Sequence, residues 1–108
     1  MWKQGVTAIF AANDLMAYGI YQYAYGAGID IPDQLSVIGI DDTYINEILQ
    51  VPLTSIAQPK EELGSKACEM LIYRVSHKTN GAEYKDILLP PKLVERRSVR
   101  RLEQHTVL

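Results

Sequence analysis

Thr7-Ala8-Ile9-Phe10-Ala11-Ala12-Asn13-Asp14 decides the fold, because an apolar run ends there in an amide and a carboxylate. A short run without alternation predicts a strand buried on both faces, and Asn13-Asp14 supply helix-start chemistry. From Asp14 to about residue 27 no further charge occurs, and Gly26 and Gly28 provide the stop signal. A second run, Leu35-Ser36-Val37-Ile38-Gly39-Ile40, closes on Asp41-Asp42. Strand, helix and strand in this order make one βαβ unit, with parallel strands and a right-handed crossover. A buried parallel strand needs neighbours on both sides, so partners for the first strand are expected in upstream sequence.

Outward from this unit, Ile29 to Gln34 reads as a loop, with Pro32 disfavouring helix before it. A short helix is expected from Thr43 to Leu49, ahead of Pro52, and an extended segment from Leu53 to Ala57. Pro59 is placed to open a helix running to a turn at Asn80-Gly81. There Leu63, Ala67, Met70 and Leu71 share one face, Glu62 and Lys66 form an i,i+4 pair outside, and Cys68 falls on the apolar side as a core residue. Two extended pieces follow, Lys85 to Leu89 and Leu93 to Glu95, separated by Pro90-Pro91. The tail from Ser98 to Leu108 reads as polar and frayed, and the pairs Arg96-Arg97 and Arg100-Arg101 as a solvated terminus.

Composition excludes several function classes. The chain has 108 residues, 47% of them hydrophobic, which fits one small domain. A net charge of −2, with both signs interspersed, gives no electrostatic footprint for nucleic acid or an anionic membrane. Cys68 is the only cysteine, so no internal disulfide forms and a reducing, cytoplasmic setting fits. His77 and His105 lie far apart, without metal-ligand spacing, and no cofactor is implied. No secretory signal is visible and no apolar run is long enough to span a bilayer.

Two features carry chemistry. On the first helix, at about 100° per residue, Met16, Ile20, Ala24 and Ala27 fall together and are expected to cover the sheet. Tyr18, Tyr21, Gln22 and Tyr25 gather on nearly the opposite side, where a solvated helix would carry charge. Tyrosine there predicts a subunit interface, against the plainer reading of a helix covered by its own chain. The second feature is the strand ends. Ligands of parallel sheets bind beyond the carboxyl ends of the strands, and Asn13 and Asp41 follow the first two strands. An amide that donates and accepts, beside a carboxylate that accepts, suits adjacent sugar hydroxyls. Taken singly, Asn13 also reads as a helix N-cap, and Asp41-Asp42 as turn and capping residues. A small hydrolase using Asp41 or Asp42 lacks a second catalytic partner, a phosphate loop and a nearby histidine, so no catalytic residue is assigned.

Four segments together resemble the lac repressor/galactose repressor family of transcription regulators. Thr7 to Gly19 is similar to its "AIFAxNDxxAxG" segment and Ile31 to Asp42 to "IPxDxSVxGFDD". Pro52-Leu53-Thr54-Ser55-Ile56-Ala57-Gln58-Pro59 resembles "PLTTIxQP", and Leu89 to Ser98 resembles the closing "LPxxLVxRxS". The resemblance runs in the family's order from about residue 6 to 99, and Ile40 departs where the family usually has an aromatic. It implies an α/β, periplasmic-binding-protein-like type I effector domain: a parallel sheet with flanking helices. Residues 1–56 and about 85–99 would belong to its C-terminal lobe, about 59–81 would be a helical piece of the N-terminal lobe, and 100–108 a tail. It further implies that Asn13 and Asp41 contact a small-molecule sugar effector and that Gln58 is a hinge position contacting ligand. With an ending similar to purine- and ribose-type repressors, that triple implies a pentose such as ribose. A homodimer through Tyr18, Tyr21, Gln22, Tyr25, Ile48 and Leu49 is implied, with operator DNA bound only through an N-terminal helix-turn-helix absent from this sequence. The alternative is a periplasmic sugar-binding protein of the same fold, which would be exported and monomeric.

Overall fold

The computed structural model describes residues 4–77 and 86–103. The expected turn at Asn80-Gly81, together with Lys85 and His105, lies outside the described residues. In chain order the elements are β1 (Ala8–Phe10), α1 (Asp14–Ala27), β2 (Ser36–Ile40), α2 (Ile45–Ile48), β3 (Thr54–Ala57), α3 (Lys60–His77) and β4 (Lys92–Val94). They divide into two units, Met1–Ala57 with Lys92–Leu108, and Gln58–Pro91. Residues 86–91, expected with the closing strands, fall in the second unit and carry no regular structure.

The first unit holds a four-stranded sheet in the order β1-β2-β3-β4. β1 and β3 both run parallel to β2, with Ala8 opposite Ser36 and Ile38 opposite Thr54, and β4 is antiparallel to β3. The α/β architecture expected from the apolar runs is therefore present. β1 is not buried, however. Among the described residues it pairs with β2 alone, at the edge of the sheet, and Phe10 is 59% exposed. An edge strand keeps whatever face no helix covers in water, whatever its composition.

α1 begins and ends where its chemistry directs. Asn13, in an extended conformation, accepts the Met16 N–H at 2.8 Å, which satisfies one of the orphan donors of the first turn. At the other end Gly28 takes a left-handed φ of 67°, and the Ile29 N–H returns to the Ala24 carbonyl at 2.8 Å. This Schellman closure brings buried Ile29 back onto buried Ala24.

The face that α1 buries is only partly the expected one: Ala24 is buried and Ile20 half-buried as expected, but the centre of the face is shifted. Asp14, Ala17, Tyr21 and Ala24 are buried, whereas Met16 is 58% exposed and Ala27 is exposed. Small alanines let the helix approach β2 closely, and the periodicity of the large apolar residues misread that phase. Tyr21 is thus a core residue, 3% exposed, whose hydroxyl donates to the Val51 carbonyl at 2.9 Å. Ala11, Ile29, Ile31, Leu35, Val37 and Leu53 complete this core. Met16 instead lines an apolar groove of about 440 Å³ with Val6, Ile9, Ile20, Tyr23 and Leu35.

The segment around Ser98–Arg100, expected to begin a frayed tail, is locked onto the sheet. Ser98 is fully buried; its hydroxyl donates to the Val37 carbonyl at 2.5 Å and accepts the Thr54 N–H at 2.8 Å. The Val37 N–H reaches the Ser98 carbonyl, and the Arg100 N–H reaches the Ser36 hydroxyl. A serine can close such a junction because one hydroxyl both donates and accepts.

In the second unit Pro59 occupies the first turn, its carbonyl accepting the Leu63 N–H at 2.8 Å. None of the described side chains of α3 is buried. Leu63, Leu71, Ile72, Tyr73 and Val75 are exposed, and so is Cys68, which corrects its expected core position. Lys66 pairs with Glu69 at 3.3 Å rather than with Glu62, an i,i+3 contact of the same helical face. No helix of the described residues is long and apolar enough to cross a membrane.

Candidate functional site

The carboxyl rim of the sheet is where the sequence expectations converge. The register pairs Phe10 with Ile38, and the ladder extends through the Ala11 N–H to the Ile38 carbonyl at 2.8 Å. Asn13 and Asp41 both follow the carboxyl ends of these adjacent parallel strands, which end at Phe10 and Ile40. Both residues are half-buried. The amide oxygen of Asn13 is committed to capping α1, which is the cap reading of this residue. Its amide nitrogen is the part left to meet an acceptor. Gln58 follows β3 and opens the second unit, where its carbonyl accepts the Lys60 N–H at 2.8 Å.

Asp41 and Asp42 form a corner with an unusual backbone. Both have positive φ, 114° and 52°. Aspartate tolerates the left-handed region better than most residues, yet two in succession cost on the order of 1–3 kcal/mol each. Such a corner persists where its surroundings hold it. The Asp41 N–H is fixed to the Ile56 carbonyl at 2.9 Å, and the Asp42 N–H to the Ser55 hydroxyl at 3.1 Å. The Asp42 carboxylate receives Arg96 Nη2 at 2.6 Å.

Arg96 was expected in a solvated terminus, and the fold places it otherwise. Its side chain is 12% exposed; Nη1 donates to the Leu53 carbonyl at 2.7 Å, and its backbone N–H donates to the Thr54 hydroxyl at 2.9 Å. Glu47 stands 3.7 Å from the same guanidinium. The planar fork allows one side chain to grip a carboxylate and a carbonyl at once. Asp42 is thus held by Arg96, and Asp41 is the residue that directly follows β2.

Behind the corner lies a polar knot that the sequence reading missed. Asp14, the first residue of α1, is fully buried. Its Oδ1 accepts from the Ser55 hydroxyl at 2.7 Å, and its Oδ2 accepts from the Thr43 N–H at 2.9 Å and Asn46 Nδ2 at 2.8 Å. Asn46, also fully buried, accepts the Tyr18 hydroxyl at 2.5 Å, and the same hydroxyl lies 2.5 Å from that of Thr43. A buried carboxylate is tolerable when its lone pairs are met and a helix N-terminus stands beside it. Among the described residues no buried side-chain polar atom lacks a partner. The available signal was spacing: Asp14 shares its helical phase with Ala17, Tyr21 and Ala24.

Of the residues expected at an interface, Tyr21 is withdrawn into the core and Leu49 is half-buried against it. Tyr18 is half-buried and tied to α2, whereas Gln22, Tyr25 and Ile48 are exposed, Ile48 at 76%. Among the described residues no cluster of three or more histidine, cysteine or carboxylate side chains is arranged to hold a metal. The rim presents hydrogen-bonding groups, an amide and a carboxylate, at the strand ends.

The profile of the Periplasmic binding protein-like domain matches residues 1–99. The Ribose operon repressor of Escherichia coli (strain K12) is 42% identical over 91 residues, which cover 84% of this chain and 27% of that repressor. A LacI family transcriptional regulator from Enterococcus faecalis V583, solved with bound ribose, superposes with a TM-score of 0.82 at 37% identity, covering 90% of this chain and 36% of that one. Another from Enterococcus faecium, also with bound ribose, gives 0.80 at 35% identity, covering 90% and 35%. The chain thus spans about a third or less of the length of these relatives.

Proposed function

The chain belongs to the periplasmic binding protein-like domain family, among the LacI-family transcriptional regulators, and from that membership we propose that it senses a pentose such as ribose. What supports this reading is that β1 and β2 are adjacent and parallel, with Asn13 and Asp41 following their carboxyl ends. Asp41 accepts a hydrogen bond from one sugar hydroxyl and the Asn13 amide donates to a neighbouring oxygen. Gln58 is carried as a third contact on the resemblance alone. The bound ribose in two similar regulators supports the choice of pentose.

In the intact regulator, sugar binding shifts the equilibrium between conformations that differ in operator affinity. Operator DNA is met through an N-terminal helix-turn-helix, in the cytoplasm. Gln22, Tyr25 and Ile48, exposed on α1 and α2, form the centre of a homodimer surface, with Tyr18 and Leu49 at its inner margin. The repressor names of the relatives favour this reading over an exported sugar-binding protein.

Calorimetric titration of the intact regulator with ribose, other sugars and purines tests the proposal. Saturable ribose binding, weakened at least about tenfold in Asp41→Ala by loss of a charge-assisted hydrogen bond, is expected. Absence of any sugar binding to the wild type removes the reading.

A further inference from the structure

The corner that carries Asp41 is strained, and strain has to be held by something. Three groups hold it from two directions. From the side of β4, Arg96 clamps the Asp42 carboxylate at 2.6 Å while anchored on the Leu53 carbonyl. From the side of α1, buried Asp14 binds the Thr43 N–H directly and the Asp42 N–H through the Ser55 hydroxyl. No other residue in the described chain combines two successive positive-φ aspartates with a buried carboxylate and a semi-buried guanidinium at the adjoining backbone.

We infer that Arg96 and Asp14, the latter acting through Ser55, are positioning residues that hold the Asp41–Asp42 corner in its left-handed conformation and so aim Asp41 at the effector. This rests on the sugar-sensing reading for its last step, but the clamp itself does not need a ligand. Neither residue touches the sugar. Their effect on affinity passes through Asp41, because a carboxylate on a freely rotating corner would spend most of its time away from the hydroxyl it must meet.

The mechanism makes a demand that a merely structural role would not. Loosening the corner weakens binding while Asp41 is present to be aimed, and matters little once Asp41 has lost its charge. Arg96→Lys retains the cation facing Asp42 but lacks the fork that also grips Leu53, so it recovers part of the loss.

The experiment uses the intact regulator with two probes, hydrogen exchange and ribose titration. Arg96→Met, Arg96→Lys and Ser55→Ala are compared with wild type, each also in an Asp41→Asn background; Ser55→Ala serves as the milder variant should Arg96→Met misfold. Amides of residues 42 and 43 are expected to exchange roughly tenfold faster in Arg96→Met and Ser55→Ala, with the interior of α1 unchanged. Ribose affinity is expected to fall roughly tenfold with Asp41 present and less than about twofold in the Asp41→Asn background, with Arg96→Lys in between. Unchanged exchange at the corner, or equal affinity losses in both backgrounds, overturns the inference. A wild type that binds no ribose removes the sugar reading, while the exchange data still decide whether the clamp exists.

Discussion

Gly39 sits in the middle of β2 because Asp14 takes the space a side chain would need. A Cβ at Gly39 would lie 2.2 Å from Asp14 Oδ1 and 3.3 Å from its backbone Cα, so the clash is with a fixed helix start as well as a side chain. Gly39→Ala is therefore expected to destabilise the intact protein by about 1–3 kcal/mol, the usual range for overpacking. The cost should shrink in an Asp14→Ala background, where the two changes would be less than additive. Urea denaturation of the four proteins measures this; full additivity would mean that Gly39 serves something other than Asp14. Tyr21 allows a second test at the same scale. Burial pushes its phenol up from 10.0 to about 12, so the folded state favours the neutral form. Below pH 10.0 folded and unfolded chains both keep the proton. Between 10.0 and about 12 the unfolded chain loses it first, and stability declines across that window. Tyr21→Phe should cost about 1 kcal/mol near pH 8 through the lost bond to Val51. At pH 11 the gap should narrow or reverse; a gap independent of pH would remove the titration argument.

α1 shows how far an element can be read before it is seen. Its bounds were legible because Asn13, Asp14 and Gly28 are chemical punctuation: a cap, an anion at the dipole's positive end, and a left-handed stop. Its orientation was not, because Met16 and Ile20 dominate any hydrophobic average while Ala17 and Ala24 make the close contact with β2. The rim position of Asn13 and Asp41 followed from topology, since a βαβ unit fixes which ends of two strands come together. Asp14, Ser55, Ser98 and Arg96 were not legible, because each is defined by partners more than 40 residues away in sequence for at least one bond. The double duty of Asn13 yields a test at this scale. Asn13→Ser keeps an oxygen for the Met16 N–H and loses the amide that faces the rim. Stability should stay within about 0.5 kcal/mol of wild type while ribose affinity falls, whereas Asn13→Ala should lose both, with about 0.5–2 kcal/mol from the cap. If Asn13→Ser binds ribose as well as wild type, Asn13 is a cap and nothing more.

At the scale of the whole chain, the distribution of apolar surface decides what the 108 residues do alone. In the first unit the core is a single layer between α1 and the sheet, and a groove of about 440 Å³ opens along the other flank of α1. Met16 at 58% and Tyr23 at 65% exposure line that groove, and Phe10 at 59% and Leu15 at 76% are exposed as well. In the second unit α3 buries none of its described side chains, although Leu71, Ile72 and Val75 are at least 63% exposed and apolar. A helix without tertiary burial gains little beyond its own propensity, and an 18-residue helix is then marginal in water. Each unit taken by itself thus leaves large apolar side chains exposed, more than a stable monomer usually shows. The isolated chain is therefore expected to be marginal: far-UV circular dichroism of a mixed α/β protein, bound hydrophobic dye, and a broad thermal transition at low micromolar concentration. A two-state domain of this size would instead absorb about 60–80 kcal/mol in one sharp calorimetric peak. Such a peak, independent of protein concentration, would show that the exposed surface is tolerated and that the fragment is a domain in its own right. Sharpening with rising concentration would instead identify a second copy as the cover, since association stabilises by mass action.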